Sequence, residues 1–155
     1  MKKHSGATMI EVLVTILVLA VGLLGLSATQ MMSLKNGNNS HQRYLAALAA
    51  EEMADRLRAN PDGRELGSYS SKTVDGSESS VDCSTKCTPA QIASLDLYDW
   101  GQVISTNLPD GKGKVEVNGE KVTLTVTWNE QHTGENRGTA SGGAEQKSFV
   151  LAVDL

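Results

Sequence analysis

From Ala7 to Thr29 the chain carries a single charge, Glu11, in an otherwise apolar and small-residue run. At ~1.5 Å per residue in a helix, such a run crosses a hydrocarbon core of ~30 Å. No other feature constrains the fold as much. One long helix belongs in lipid, and the remaining chain must build its own core without that apolar content. Lys2 and Lys3 precede the run, and no comparable basic cluster follows closely. The positive-inside rule then predicts a single pass with the N-terminus in the cytoplasm and the bulk of the chain in the periplasm. An ordinary secretory signal peptide fits less well, because its apolar region is typically only ~7–15 residues. Its cleavage site would have to be Leu26-Ser27-Ala28, with an unfavourable Leu in first place. A plain signal anchor fits the length but gives Glu11 no role, although a carboxylate within lipid costs a few kcal/mol at mid-bilayer.

Glu11 therefore calls for a partner. Cleavage between Gly6 and Ala7 would place a new α-amino group four residues before it, and a helix brings residues i and i+4 together. Gly6-Ala7-Thr8-Met9-Ile10-Glu11, with a short basic leader before it and an apolar helix after it, resembles the type III signal of type IV prepilins. The resemblance implies cleavage after Gly6 by prepilin peptidase, N-methylation of Ala7, and an assembly role for Glu11 at the fifth position of the mature chain. It also implies the inner membrane, the pilus assembly machinery, and other minor and major pilins as partners. Most members of that family begin the mature chain with Phe, where this chain has Ala7.

Gly22 and Gly25 interrupt the apolar run, each at a cost of roughly 1 kcal/mol relative to Ala. In lipid such small residues permit close helix packing. Lys35-Asn36-Gly37-Asn38-Asn39 is polar, and helical patterning resumes at Gln42. Leu45, Ala49, Met53 and Leu57 then recur every fourth residue beside Ala46, Ala50 and Ala54, which predicts an amphipathic helix ended by Asn60-Pro61-Asp62-Gly63. An unbroken helix from residue 7 to 59 would be ~80 Å long, and a kink or short melt at Asn36–Asn39 is equally allowed. Glu51, Glu52, Arg56 and Arg58 read as a solvated face, or as a lateral contact with neighbouring pilins. AAEEMADRLRANP, like the EVLVTILVLAVGLLGL before it, resembles PilV-type minor pilins. The expected organisation is a leader at 1–6, a transmembrane and assembly helix at 7–34, an amphipathic helix at 35–60 and a globular head at 61–155.

Residues 62–82 are rich in Gly, Ser and Asp and lack a period, so they read as a long surface loop. Cys83 and Cys87 read as one local structural disulfide. The alternatives are a redox pair or half a metal site, for which His4, His41 and His132 are scattered. Thr88-Pro89 is a helix start. Ala93, Leu97, Trp100, Ile104 and Leu108 form its apolar stripe, with Trp100 assigned to the core, and Leu108-Pro109-Asp110-Gly111 stops it. Lys114–Val117 and Lys121–Trp128 alternate around an Asn118-Gly119 turn, as a β-hairpin does. Glu130–Glu145 reads as a loop, and Lys147–Leu155 as a last strand with Phe149, Leu151, Val153 and Leu155 on one face. The fold class is α+β and pilin-like: a long N-terminal helix, half in the membrane and half amphipathic, packed on an antiparallel sheet of three or four strands. The order of these head motifs again resembles PilV-type chains.

Net charge is −4 with no basic block beyond Lys2–Lys3, so nothing here suits a nucleic acid. No Ser/His/Asp spacing, HExxH motif or phosphate loop is present. The reading is a non-enzymatic minor pilin without a cofactor, supporting pilus assembly, twitching motility and adhesion. A type II secretion pseudopilin shares every N-terminal feature. A membrane-anchored periplasmic redox or enzyme domain is the contrasting class.

Overall fold

The computed structural model describes residues 8–131 and 144–155. Helix α1 runs unbroken over Met9–Ala59, followed by α2 (Pro61–Glu65), β1 (Lys72–Val74), α3 (Pro89–Asn107), β2 (Lys112–Asn118), β3 (Lys121–Gln131) and β4 (Ala144–Asp154). The chain divides into two compact units, residues 1–37 and 38–155.

In the first unit, the apolar side chains of α1 from Met9 to Leu34 are exposed. Three of its hydroxyls are satisfied locally. Thr15 Oγ1 donates to the Val12 carbonyl at 2.8 Å, Ser27 Oγ to Leu23 at 2.9 Å and Thr29 Oγ1 to Leu26 at 2.8 Å. Back-bonding of this kind removes the cost of unpaired hydroxyls in lipid. An added Cβ at Gly22 or Gly25 would meet nothing within 4 Å, so in this chain alone the two glycines mark open helix surface.

In the second unit, α1 buries Ala46, Ala49, Ala50, Met53, Ala54 and Leu57. This is the stripe expected from the i+4 spacing, with Leu45 at its half-buried edge. The four strands form one antiparallel sheet in the order β1-β2-β3-β4. Val122, Leu124, Val126 and Trp128 of β3 are buried against the helices, and Thr123, Thr125 and Thr127 alternate onto the other face. Period-2 alternation requires that split. Asn118 pairs with Lys121, so Gly119 and Glu120 are the central turn residues. Gly119 supplies the positive φ, at 65°. Phe149, Leu151, Val153 and Leu155 are half-buried along β4, as their spacing predicts.

Helix α3 starts as expected. The Thr88 side chain accepts from Gln91 N, and the Gln91 side chain accepts from Thr88 N at 2.9 Å, forming a capping box. Its stripe Ala93, Leu97, Trp100 and Ile104 is buried, and Trp100 Nε1 donates to the Ala49 carbonyl of α1 at 2.8 Å. Strand β2 comes close to this indole, and Gly113 makes room: a Cβ there would lie 2.5 Å from two ring atoms of Trp100.

Three expectations need correction. Residues 62–82 are not one surface loop. They contain most of α2 and all of β1, and they bury Tyr69 and Val74 completely. A three-residue strand is too short to show alternation, and α2 follows α1 after a single residue, Asn60. Glu130–Glu145 is not all loop either, because β3 and β4 pair out to Glu130↔Glu145 and Gln131↔Ala144; residues 132–143 of that stretch, His132 included, lie outside the described residues. Finally, Arg56 and Glu52 are not simply on a solvated face, as the ion-pair cluster below shows. The helix through Asn36–Asn39, left open by the sequence, is continuous.

Candidate functional site

The residues at the start of α1 carry the functional signal. The Thr8 carbonyl accepts from Glu11 N at 3.0 Å and from Val12 N at 3.3 Å. Thr8 thus stands just before the helix, and Glu11 lies in its first turn. The unpaired N–H groups there make a carboxylate favourable by roughly 0.3–1 kcal/mol. Thr8-Met9-Ile10-Glu11 also has the S/T-x-x-E spacing of a capping box, a signal the sequence reading passed over. Glu11 therefore sits where a helix start tolerates an anion, in a segment otherwise without charge. Gly6, Ala7 and the leader 1–6 lie outside the described residues. The helix Met9–Ala59 contains a stretch long and apolar enough to cross a membrane.

Cys83 and Cys87 are joined in a disulfide, with Cα atoms 5.5 Å apart. The bridge ends at the residue before Thr88, the cap of α3. Among the described residues no group of three or more His, Cys, Asp or Glu side chains could hold a metal ion.

A polar hub that local sequence patterns do not reveal lies where α1, α2 and α3 meet. Asn60, 6% exposed, donates from Nδ2 to Tyr69 Oη at 2.9 Å and to the Pro89 carbonyl at 2.8 Å. Its Oδ1 accepts from Gly63 N at 3.2 Å. Tyr69 donates to Asp96 Oδ2 at 2.5 Å. Arg56 meets Asp96 at 3.2 Å, Asp99 at 3.3 Å and Glu52 at 2.8 Å. Burial opposes the charge of Arg56, but the hydrogen-bonding carboxylates outweigh it and hold its pKa above the ordinary value. Burial, reinforced by Asp96, also pushes the Tyr69 phenol upward. The hub joins the end of α1, the start of α2, the following turn and the first turns of α3. Tyr69 between Ser68 and Ser70, and Asn60 before Pro61, are the local signals it leaves in the sequence.

A second polar lock joins α1 to the sheet. Arg43 Nε donates to Glu130 Oε1 at 2.8 Å and Nη2 to Oε2 at 3.0 Å. Glu130 is 4% exposed. The hydrogen bonds from Arg43 hold its carboxyl below the usual range, against the opposing effect of burial. Both clusters consist of groups that satisfy one another, so neither presents a free nucleophile or base.

The family model described as the prokaryotic N-terminal methylation motif matches residues 1–27. The chain carries a type IV pilin-like signal. That match covers the leader, Gly6, Ala7, Glu11 and most of the apolar run, and a signal of this type implies processing by a prepilin peptidase and membrane anchoring. No curated protein and no solved structure matches the chain. The pilin-like signal thus precedes a head of α+β architecture, a long helix packed on a four-stranded antiparallel sheet. The combination points to a structural rather than a catalytic protein.

Proposed function

We propose that this chain is a minor pilin of a type IV pilus. Residues 1–6 are the leader, removed after Gly6. Residues 7–34 hold the protein in the inner membrane with the N-terminus cytoplasmic, and 35–60 carry the helix into a periplasmic head at 61–155. Cleavage frees the Ala7 amine, which becomes N-methylated. Glu11 then neutralises that amine or a neighbour's as the apolar helix exchanges lipid for neighbouring pilin helices. The observation that carries this reading is the methylation motif over residues 1–27, which takes in most of an apolar helical run whose side chains are exposed. The exchange is favourable because a helix–helix seam keeps apolar contacts while pairing the buried charges. In this role the subunit supports pilus assembly, twitching motility and adhesion.

The first test is the intact mass of the protein from cells with and without prepilin peptidase. Loss of residues 1–6 plus one methyl group, only when the peptidase is present, is the expected result. An uncut chain would overturn it. The second test is Glu11→Val, which should still insert in the membrane but be depleted from sheared pilus fractions. Normal recovery there would remove the assembly role of Glu11. Recovery of the wild type with secretion pseudopili instead of pili would reassign it to the pseudopilins.

A further inference from the structure

The sheet has two edges, and they differ. At one, β1 is three residues long. At the other, β4 runs for 11 residues, Ala144–Asp154, and among the described residues β3 is its one strand neighbour. An open edge is a row of unpaired N–H and C=O groups, commonly protected by Lys, Pro, a bulge or shortness. From Ser148 to Val153, β4 carries none of these. The stretch Ser-Phe-Val-Leu-Ala-Val is uncharged, and its pairing with β3 skips no residue.

The register shows which groups face outward. Leu155 N donates to the Glu120 carbonyl at 2.8 Å, continuing the pairing of Lys121 with Asp154. In an antiparallel ladder, alternate residues turn their backbone groups toward the partner or away from it. Phe149, Leu151 and Val153 therefore bond to β3, while Ser148, Val150 and Ala152 turn theirs to the open side. Burial falls off toward the same edge. The inward residues of β3, Val122, Leu124, Val126 and Trp128, are at most 2% exposed. Those of β4, Phe149, Leu151 and Val153, are only half-buried.

We infer that the open edge of β4 over residues 148–153 docks an extended segment of a different polypeptide as an added antiparallel strand. Only an extended chain presents backbone groups at the two-residue repeat of that edge, and the antiparallel ladder is the more stable one. The added strand is uncharged along this stretch. Its residues beside Phe149, Leu151 and Val153 are apolar, extending the cover that β4 gives to β3. A second copy of β4 matches less well. Antiparallel pairing about Leu151 sets Lys147 opposite Leu155 and Asp154 opposite Ser148. Pairing about Val150 sets Lys147 opposite Val153 and Asp154 opposite Gln146. Parallel pairing in register sets Lys147 beside Lys147. In none does either charge meet an opposite one across the seam. This inference concerns the head alone, so it is separable from the pilus reading above.

Amide exchange of the full chain in detergent micelles, read by NMR, tests it. In the free chain, the amides of Ser148, Val150 and Ala152 should exchange at least ~10-fold faster than those of Phe149, Leu151 and Val153. Equal protection of both sets would mean an edge already covered, by a second copy if the mass is doubled, and would overturn the inference. The probe is a capped peptide, Lys-Val-Thr-Leu-Thr-Val-Thr-Trp, the sequence of β3 from Lys121 to Trp128, which already matches β4 in pitch and alternation. In excess it should slow exchange at Ser148, Val150 and Ala152 by at least ~10-fold. The same peptide N-methylated at its threonines, whose N–H groups would face β4 on this edge, should have no effect. No slowing by the first peptide, or equal slowing by both, would overturn the docking site. Val150→Pro removes an outward N–H and leaves the bonds to β3 in place. In that variant Phe149, Leu151 and Val153 should stay protected while the peptide effect disappears. A retained peptide effect would also overturn the inference.

Discussion

Arg43→Ala tests how the head is locked to α1. Arg43 is the exposed partner, with 60% of its side chain accessible, and Glu130 the buried one at 5%. Truncating Arg43 leaves a carboxylate inside without its two charged hydrogen bonds. Bonds to charged groups are worth about 1.5–3 kcal/mol. Water reaching the vacated position recovers part of that, so the expected loss is ~2 kcal/mol at neutral pH. For a head of this size this lowers Tm by roughly 8 °C. Thermal unfolding of the full chain in detergent, followed by tryptophan fluorescence, is a suitable assay because Trp100 and Trp128 are both in the head core. The pH dependence sharpens the test. Glu130 has a depressed pKa in the folded state, so its contribution is fully present above its unfolded pKa of about 4.3 and is lost as pH falls through the folded value. Wild type and Arg43→Ala should therefore converge in acid. Adding Glu130→Gln to Arg43→Ala should recover stability at neutral pH, because the stranded charge is gone. A loss that is the same at pH 3 and pH 7, or no recovery in the double variant, would refute the reasoning.

Other outcomes follow from the same geometry. Gly113→Ala drives a methyl group into the Trp100 ring and should cost about 1–3 kcal/mol, read as a lowered urea midpoint with unchanged slope. The Tyr69 phenol has a raised pKa in the fold, so its stabilisation is present below about pH 10 and is lost as pH rises through the folded value. Tyr69→Phe should therefore be less stable at neutral pH yet lose less between pH 9 and pH 11, which alkaline melts would show. Cys83→Ser with Cys87→Ser opens a very small ring and should cost ~2 kcal/mol. Recovery in pilus fractions should otherwise be unchanged, and a loss of function with an unchanged Tm would point to redox chemistry instead.

Much of this protein was legible locally. The apolar run with its lone Glu11 was legible as a helix long and apolar enough to cross a membrane, within a pilin-like signal. Thr88-Pro89 and the stripe from Ala93 to Leu108 defined α3, since a cap and a 3.6-residue period are both local properties. Strand β3 was legible for the same reason, its Val and Leu alternating with Thr. These features depend on neighbours a few residues apart, so the sequence by itself determined them.

Only the tertiary structure decided the rest. Arg43 and Glu130 are 87 residues apart in sequence, and Arg56 and Asp96 are 40 apart. A charged residue at the edge of an amphipathic stripe looks the same whether it meets water or a distant carboxylate. Tyr69 and Val74 enter the core from a polar stretch with no period: Tyr69 from the turn after α2, where Asn60 and Asp96 hold its hydroxyl, and Val74 from a three-residue strand that acquires its inward face only by pairing with β2. Periodicity shows which side of an element is apolar. Which polar groups meet across the core depends on how the elements pack, and that is a property of the whole head.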